Sequence, residues 1–333
     1  VRARIAIVYN QPLPSRYDLS GEEQAAKGVL DAVAAARASL RELGHEVTCL
    51  PLVPPLERAV DEASLKDFDL VFNLFEGFCG QPETEPLLAE YLESAGIPFT
   101  GCPSAALALC LDKAVAKERF RSGGISTPDF QLLRPETAHL FHIGCPCIVK
   151  PRGEDASHGI TENSVVRDSG SLESQIRHIC DTCGDALVEE YIDGREFNAT
   201  VTGNSRPAVL PVSEIVYSLP PGMPEVLTFD SKWTPGSAYF QGTRVICPAW
   251  VTVGEEDTIK NLALTTFALA GCRGYARVDM RMDREGRLNV IEVNPNPDIS
   301  PDAGTVRQAS AAGMTYTEFI GEIVRLALER RDP

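Results

Sequence analysis

No run in these 333 residues approaches the ~18 consecutive apolar side chains that a membrane-spanning helix needs. The apolar stretch in VRARIAIVYN is too short for the core of a secretion signal and reads as a first strand. Basic side chains are scarce beside acidic ones, with 31 Lys and Arg against 47 Asp and Glu, for a formal net charge of -16. Such a surface repels a phosphate backbone or an anionic bilayer, so neither nucleic acid nor membrane is an expected partner. A small anion remains compatible, because a few local cations and a metal suffice to hold it. The chain also lacks a GxGxxG, which leaves a dinucleotide reading without a motif, and it shows no repeat or low-complexity segment. Its ten cysteines are scattered. Cys180 and Cys183 form one CxxC, near His178, Cys145 and Cys147, but a second pair at zinc spacing is missing. Free thiols in a reducing, cytoplasmic setting are therefore expected, with a zinc site at Cys180 and Cys183 as the alternative.

What is present is an α/β alternation. Residues 5–8, 47–52, 70–74 and 97–100 read as strands, the third (LVFNL) continuously apolar like a strand of a parallel sheet. Between the first two, Ala25, Val29, Val33, Ala36 and Leu40 recur at helical spacing and Gly44 stops the helix. One helical segment is expected over 104–122, strands over 147–150 and 187–192, and a β-rich portion from Arg195 onward. A helix over about 257–270, two strands around the turn Asp283-Arg284-Glu285-Gly286, and an amphipathic helix over 316–328 complete the pattern. Three domains are expected, at 1–102, 103–192 and 193–333.

The chemistry concentrates in the two late strands, ARVDMRM and VIEVN. Side chains alternate along a strand, so Glu292 and Asn294 share a face, and a hairpin can place Asp279 beside them. Two carboxylates and an amide oxygen suit magnesium, with manganese as a substitute, held between protein and nucleotide phosphates. Ordinary surface acids are the alternative, weakened by Val278, Val290, Ile291 and Val293, which make these strands largely buried. Arg277 shares the face of Asp279 and is placed to neutralise phosphoryl charge. Lys150 leaves an apolar strand into a loop holding Gly153, Ser157 and Gly159, where backbone N–H groups can cradle phosphate. Glu189 and Glu196 bracket EEYIDGRE and could accept from ribose hydroxyls, or simply be exposed acids.

Taken in order, GIPFTGC, LDKAVAK, IVKP, LVEEYIDGREF, ARVDMRM and IEVNPNP resemble the ATP-grasp superfamily and, within it, the D-alanine–D-alanine ligase family, over nearly the whole chain. The resemblance implies an ATP-grasp fold, with an N-terminal Rossmann-like domain and two α+β subdomains that clamp ATP. It implies that Lys113 and Lys150 touch ATP phosphates under the loop of Ser157, and that Glu189, Glu190 and Ile192 form the adenine linker with Glu196 at the ribose. Lys232 is similar to the lysine of a flexible loop that caps the site. Asp279, Glu292 and Asn294 match magnesium ligands, and Arg277 the arginine near an acyl phosphate. A homodimer is the family's habit.

The substrate half departs from the family. An acidic residue expected in the first loop could be supplied only by Asp18, Glu22 or Glu23. The family's histidine–glycine is Glu76-Gly77, a serine of the phosphate loop is Ala156, and the lid tyrosine is Trp233, so an acid–serine–tyrosine triad cannot form. Asp298 replaces a glycine that serves the second substrate's carboxylate. Glu76, Asp298 and Ser300 are then the candidate substrate contacts. The expected function is ATP-dependent joining of a carboxylate to an amine, with an altered substrate pair. A true D-alanine–D-alanine ligase, a small-molecule kinase on the same fold, a nucleotide sensor and a zinc module remain as alternatives.

Overall fold

The computed structural model describes residues 2–11, 22–78, 81–154 and 157–329. Asp18 and Ala156 fall outside these, and Glu22 and Glu23 enter only as backbone of a helix.

Among the described residues, three sheets organise the chain. The first contains β1 (Arg4–Asn10), β2 (Glu46–Leu52) and β3 (Leu70–Leu74), parallel and in the order β2-β1-β3. Helices α1 (Glu22–Glu42), α2 (Leu56–Ala63) and α3 (Thr84–Ser94) belong to the same region. Ile5 and Ile7 pack with Ala36 and Leu40 of α1, while Ala6 and Val8 pack with Leu56 of α2 and Leu88 of α3. Both faces of the central part of the sheet are covered, and so residues 5–8 of β1 and 70–74 of β3 are buried throughout, whereas the edge strand β2 is partly exposed. The strand expected at 97–100 is reduced to a single bridge between Val71 and Phe99, because Pro98 offers a carbonyl but no N–H.

The helical segment over 104–122 is two helices, α4 (Ser104–Leu111) and α5 (Lys113–Ser122). Asp112 breaks it: its backbone is extended and its carboxylate caps α5 by accepting from the N–H groups of Ala114 and Val115. Arg152 holds that carboxylate through two further bonds, of 2.9 and 2.5 Å. The second sheet follows, with β4 (Phe130–Leu133), β5 (Cys147–Pro151), β6 (Val165–Val166), helix α6 (Ser169–Cys183) and β7 (Ala186–Glu190). Its antiparallel order is β4-β7-β5-β6, and Leu172, Ile176 and Ile179 of α6 pack against Val149 and Val188.

The third sheet has six strands: β8 (Gly194–Gly203), β9 (Ala208–Val209), β10 (Ser213–Tyr217), β11 (Thr243–Ile246), β12 (Gly274–Asp283) and β13 (Leu288–Asn294). Its order is β11-β10-β8-β12-β13, with β9 on β8. Two short helices, α7 (Phe229–Trp233) and α8 (Ala238–Gly242), lie between β10 and β11. Helix α9 (Val253–Leu269) packs Ile259, Ala263 and Phe267 into the cluster that holds Phe197, Ala199, Ala276 and Val278. After β13 come α10 (Gly304–Ala311) and α11 (Tyr316–Leu328), and α11 returns to the first sheet, burying Phe319 and Ile323 with Ile5 and Phe72.

Pairing of β8, β12 and β13 gives the third sheet one apolar and one polar face. Ala276, Val278 and Met280 point into the core. The alternate residues Arg277, Asp279 and Arg281 lie opposite Thr200, Asn198 and Glu196 of β8. On the other side Arg277 pairs with Asn294 and Asp279 with Glu292. A bulge at Asp279/Met280 leaves Ile291 as the extra residue of β13, half-buried rather than in the core. It shifts the alternation by one, so Val290 enters the core while Glu292 and Asn294 stay on the polar face.

Candidate functional site

Two lysines of the second region arise from the cap at Asp112. Because α5 starts there, Lys113 and Lys117 fall one turn apart on the same side, and both are buried. Lys113 donates to the Glu154 carbonyl (2.5 Å) and its Nζ lies 3.7 Å from Glu292 Oε2. Lys117, only 1% exposed, donates to Thr127 Oγ1 (2.8 Å), whose hydroxyl continues to the Val290 carbonyl.

Glu189 is not an exposed acid. It is 1% exposed on β7, and its Oε1 stands 3.2 Å from Lys117 Nζ and 3.0 Å from Lys150 Nζ. Burial of a charge without such partners is costly. The same burial pulls the Lys117 ammonium down to about 8, with Glu189 opposing and neighbouring Lys150 assisting the shift. Glu190, next in sequence, is exposed, and its N–H is bonded to the Asp129 carbonyl.

Glu292 is the electrostatic centre. Burial pushes its carboxyl up, but Lys113, Lys150, Arg277 and Lys232 outweigh that and hold it at about 2. Those four cations come from α5, β5, β12 and α7, so one carboxylate collects charge from both the second and the third region of the chain. Arg277 donates Nε and Nη2 to the two oxygens of Asp279 (2.7 and 2.8 Å), and Asn198 Nδ2 donates to Oδ1 (2.7 Å). Asn294 accepts through Oδ1 from the Asn296 N–H. The donor set of Asp279, Glu292 and Asn294 consists of oxygens on adjacent, registered strands, which fits a hard divalent cation. Among the described residues no group of three or more His, Cys, Asp or Glu converges as a metal cage. Cys180 instead packs with the apolar cluster of the second sheet, and burial raises its thiol pKa.

Helix α7 contributes Lys232, whose charge acts on Glu292. Burial and then Arg277 lower the Lys232 pKa, against Glu292, Asp279 and Glu196. Phe229 donates its N–H to the Ile160 carbonyl, and its ring lies 5.4 Å from that of His158, so the loop after β5 meets α7. Within that loop Ser157 has φ +63° and Gly159 φ +73°. A Cβ on Gly159 would stand 2.8 Å from Pro151 Cγ, so both the conformation and the space demand glycine. Trp233 reaches α1, 3.8 Å from the Cβ position of Gly28, and its buried Nε1 has no hydrogen-bond partner among the described residues.

The far end of the polar face carries Glu196, half-buried, which accepts from Tyr217 (2.8 Å) and pairs with Arg281 (3.3 Å). Ile192 is buried and its carbonyl accepts from Arg281 (2.9 Å). At the opposite end, Asn296 ties the loop after β13 to the loop after β3 and to α3, donating to the Phe75 carbonyl (3.2 Å) and to Glu85 (2.8 Å). Glu76, exposed, sits in one of those loops and Asp298, also exposed, in the other. Asp298 folds back on Ser300, accepting from its N–H and hydroxyl (each 2.8 Å), and does not cap α10, whose N-cap is Ala303. Its charge still reaches Arg277, whose pKa is raised by Asp279, Glu292 and Asp298 against the effect of burial.

Lys117, Asn198, Tyr217 and Arg281 were not singled out by sequence. Two signals were available: the i,i+4 spacing of lysines in LDKAVAK, and the shared face of Arg277, Asp279 and Arg281 in ARVDMRM.

A three-sheet α/β chain whose second and third sheets bring lysines, an arginine and carboxylates together is an enzyme of the ATP-grasp ligase class. The family described as D-ala D-ala ligase C-terminus matches residues 120–325. An uncharacterised protein of Sinorhizobium fredii is 34% identical over 308 residues, covering 91% of this chain and 88% of its own. A D-alanine–D-alanine ligase of Alcanivorax borkumensis is 32% identical over 315 residues, covering 94% and 93%. The crystal structure of a D-alanine–D-alanine ligase from Bacillus anthracis complexed with ATP superposes with a TM-score of 0.75 at 22% identity, over 99% of this chain and 98% of that one. The chain belongs to the D-alanine–D-alanine ligase family.

Proposed function

We propose that this enzyme uses ATP to activate a carboxylate as an acyl phosphate and passes the acyl group to an amine, releasing ADP and phosphate, with a substrate pair other than two D-alanines. The observation that carries the reading is the convergence of Lys113, Lys150, Arg277 and Lys232 on Glu292, opposite Asp279. Such an arrangement suits a triphosphate: cations meet phosphate oxygens, while the carboxylates need a counter-cation. Asp279, Glu292 and Asn294 would hold magnesium or manganese, which when bound neutralises and orients phosphate oxygens. Lys113 and Lys150 would meet the phosphates beneath the loop of Ser157. Glu189, Glu190 and Ile192 would line the base and Glu196 the ribose.

Arg277 would steady charge on the transferring phosphoryl group, and Lys232 on α7 would complete the enclosure and keep water from the acyl phosphate. The amine attacks the acyl carbon, the C–O bond to phosphate breaks, and phosphate leaves. Glu76, Asp298 and Ser300 are the proposed substrate contacts, and the three segments 1–102, 103–192 and 193–333 the proposed domains.

The second reading, a D-alanine–D-alanine ligase proper, is favoured by the 32% identity to a protein of that name. A screen of amino-acid and amine pairs for ADP release, with product masses, separates the two. Release of ADP independent of any amine would instead support a kinase. AMP with pyrophosphate as the stoichiometric products would sink the acyl-phosphate scheme.

A further inference from the structure

Residues 218–228 join β10 to α7 and so determine where Lys232 sits. Two successive carbonyls of this segment are held by side chains from three other elements. Tyr239 of α8 donates to the Pro224 carbonyl (3.0 Å). Tyr191, in the connection between β7 and β8, donates to the Glu225 carbonyl (3.0 Å). Arg281 of β12 donates Nη2 to that same carbonyl (2.6 Å). Its Nη1 goes to the Ile192 carbonyl (2.9 Å), its Nη2 lies 3.3 Å from Glu196 Oε2, and its guanidinium stacks 5.3 Å from the Tyr191 ring centroid.

Arg281 is 6% exposed. Burying a guanidinium against loop carbonyls is an expensive way to stabilise a fold, since an apolar side chain would pack there without the desolvation cost. Arginine has a property that lysine and apolar residues lack: a planar fork that reaches diverging acceptors at once. Here the acceptors belong to segment 218–228, the base linker and the ribose acid. We propose that Arg281 is a positioning residue that latches segment 218–228 onto the nucleotide end of the site, so that closure of α7 over the acyl phosphate depends on it. The proposal rests on the ligase reading for its catalytic consequence but not for the latch itself. With the latch lost, water competes with the amine: it attacks the acyl phosphate, the C–O bond to phosphate breaks, and ADP accumulates without amide.

The test has two arms on the full chain. In the first, without nucleotide, hydrogen exchange is followed in residues 218–233 of wild type and Arg281→Met, with residues 169–183 as the internal control. Exchange in 218–233 is expected to rise about tenfold or more, the factor carried by one lost charged hydrogen bond, with the control unchanged. In the second arm, ADP released per amide formed is measured with magnesium-ATP and the amine identified in the screen. The ratio is expected to rise in Arg281→Met and to be intermediate in Arg281→Lys, which keeps the charge and loses the fork. Unchanged exchange together with an unchanged ratio overturns the latch, as does a rise that extends equally to the control. Should wild type form no amide with any amine, the ligase reading falls and the exchange arm alone decides the latch. If Arg281→Met does not fold, Tyr191→Phe, which removes one donation to the Glu225 carbonyl, takes its place with a smaller rise expected.

Discussion

Arg277 grips Asp279 with both arms of its fork, two residues along one strand and directly across from Asn294 and Glu292. The pair is therefore part of the charge centre itself and not a separate surface bridge. Asn198, from β8 on the other side, takes the remaining approach to Asp279 Oδ1. Two neighbouring strands, β12 and β8, thus hold one carboxylate between them, which orients it before any ligand arrives.

Loss of Arg277 is expected to cost both stability and chemistry. Arg277→Met leaves Asp279 largely buried with Asn198 as its remaining bonded partner, at about 3 kcal/mol, as when one member of a buried pair is removed. Arg277→Lys keeps the charge and loses the bidentate geometry, so folding is retained while kcat falls about 10²-fold. Urea denaturation and steady-state kinetics check both, and wild-type kcat in the lysine variant would place phosphoryl stabilisation elsewhere.

Glu292→Gln is expected to lower the chemical step about 10²-fold or more, since the change removes the charge on which four cations converge. It also carries a pH signature. The folded-state value of about 2 lies below the ordinary 4.5, so the stabilisation from Glu292 is fully present above pH 4.5 and is lost as pH falls toward 2. Wild type should therefore exceed the variant in stability at neutral pH, with the gap closing between those limits. Denaturation curves from pH 7 down to 3 measure it. A gap that does not change with pH would mean that the four cations do not act on this carboxylate.

The hairpin of β12 and β13 was legible in sequence because a charged turn separates two apolar strands and the alternation marks one polar face. Its bulge was not, since the extra residue, Ile291, looks like any other β-branched strand residue. Likewise LDKAVAK reads as continuous helix, and only the tertiary partner Arg152 shows why Asp112 is a cap. The pairing of Glu189 with Lys117 and Lys150 joins α5, β5 and β7, a relation that local periodicity does not contain. The place of Arg281 on the polar face was readable from ARVDMRM, but its partners were not, since they lie 56 and 89 residues away.

Lys117 is expected to give the ATP dependence an alkaline limb. Its folded value of about 8 is below the ordinary 10.5, so between these the unfolded chain binds the extra proton and this group's contribution to stability rises with pH. Activity should go the other way. As Lys117 loses its proton, Glu189 depends more on Lys150, drawing that lysine from phosphate. Thus kcat/KM for ATP should decline above about pH 8 in wild type. Lys117→Met should be less active throughout and flatter from pH 7 to 9.5. An identical limb in the variant assigns the titration to another group.

The last expectation concerns D-alanine itself. Asp298 uses both the N–H and the hydroxyl of Ser300, the donors that a substrate carboxylate arriving at this loop would need. It also adds a like charge there. At a few ångströms two carboxylates repel by about 1 kcal/mol in water-like surroundings and about 4 kcal/mol at an effective dielectric near 20. Asp298 is exposed, so the free enzyme sits toward the lower figure, and closure of the site over substrate moves it toward the higher one. The corresponding loss in affinity is about five-fold to a thousandfold. Wild type should therefore form D-alanyl-D-alanine poorly, and Asp298→Gly, which frees both Ser300 donors and removes the charge, should improve it. Assaying both proteins with D-alanine alone decides the matter. Efficient dipeptide formation by wild type would replace the altered-substrate reading with that of a D-alanine–D-alanine ligase proper. Inactivity of both would move the block to the other loop, where Glu76 stands joined to Asp298's loop through Asn296.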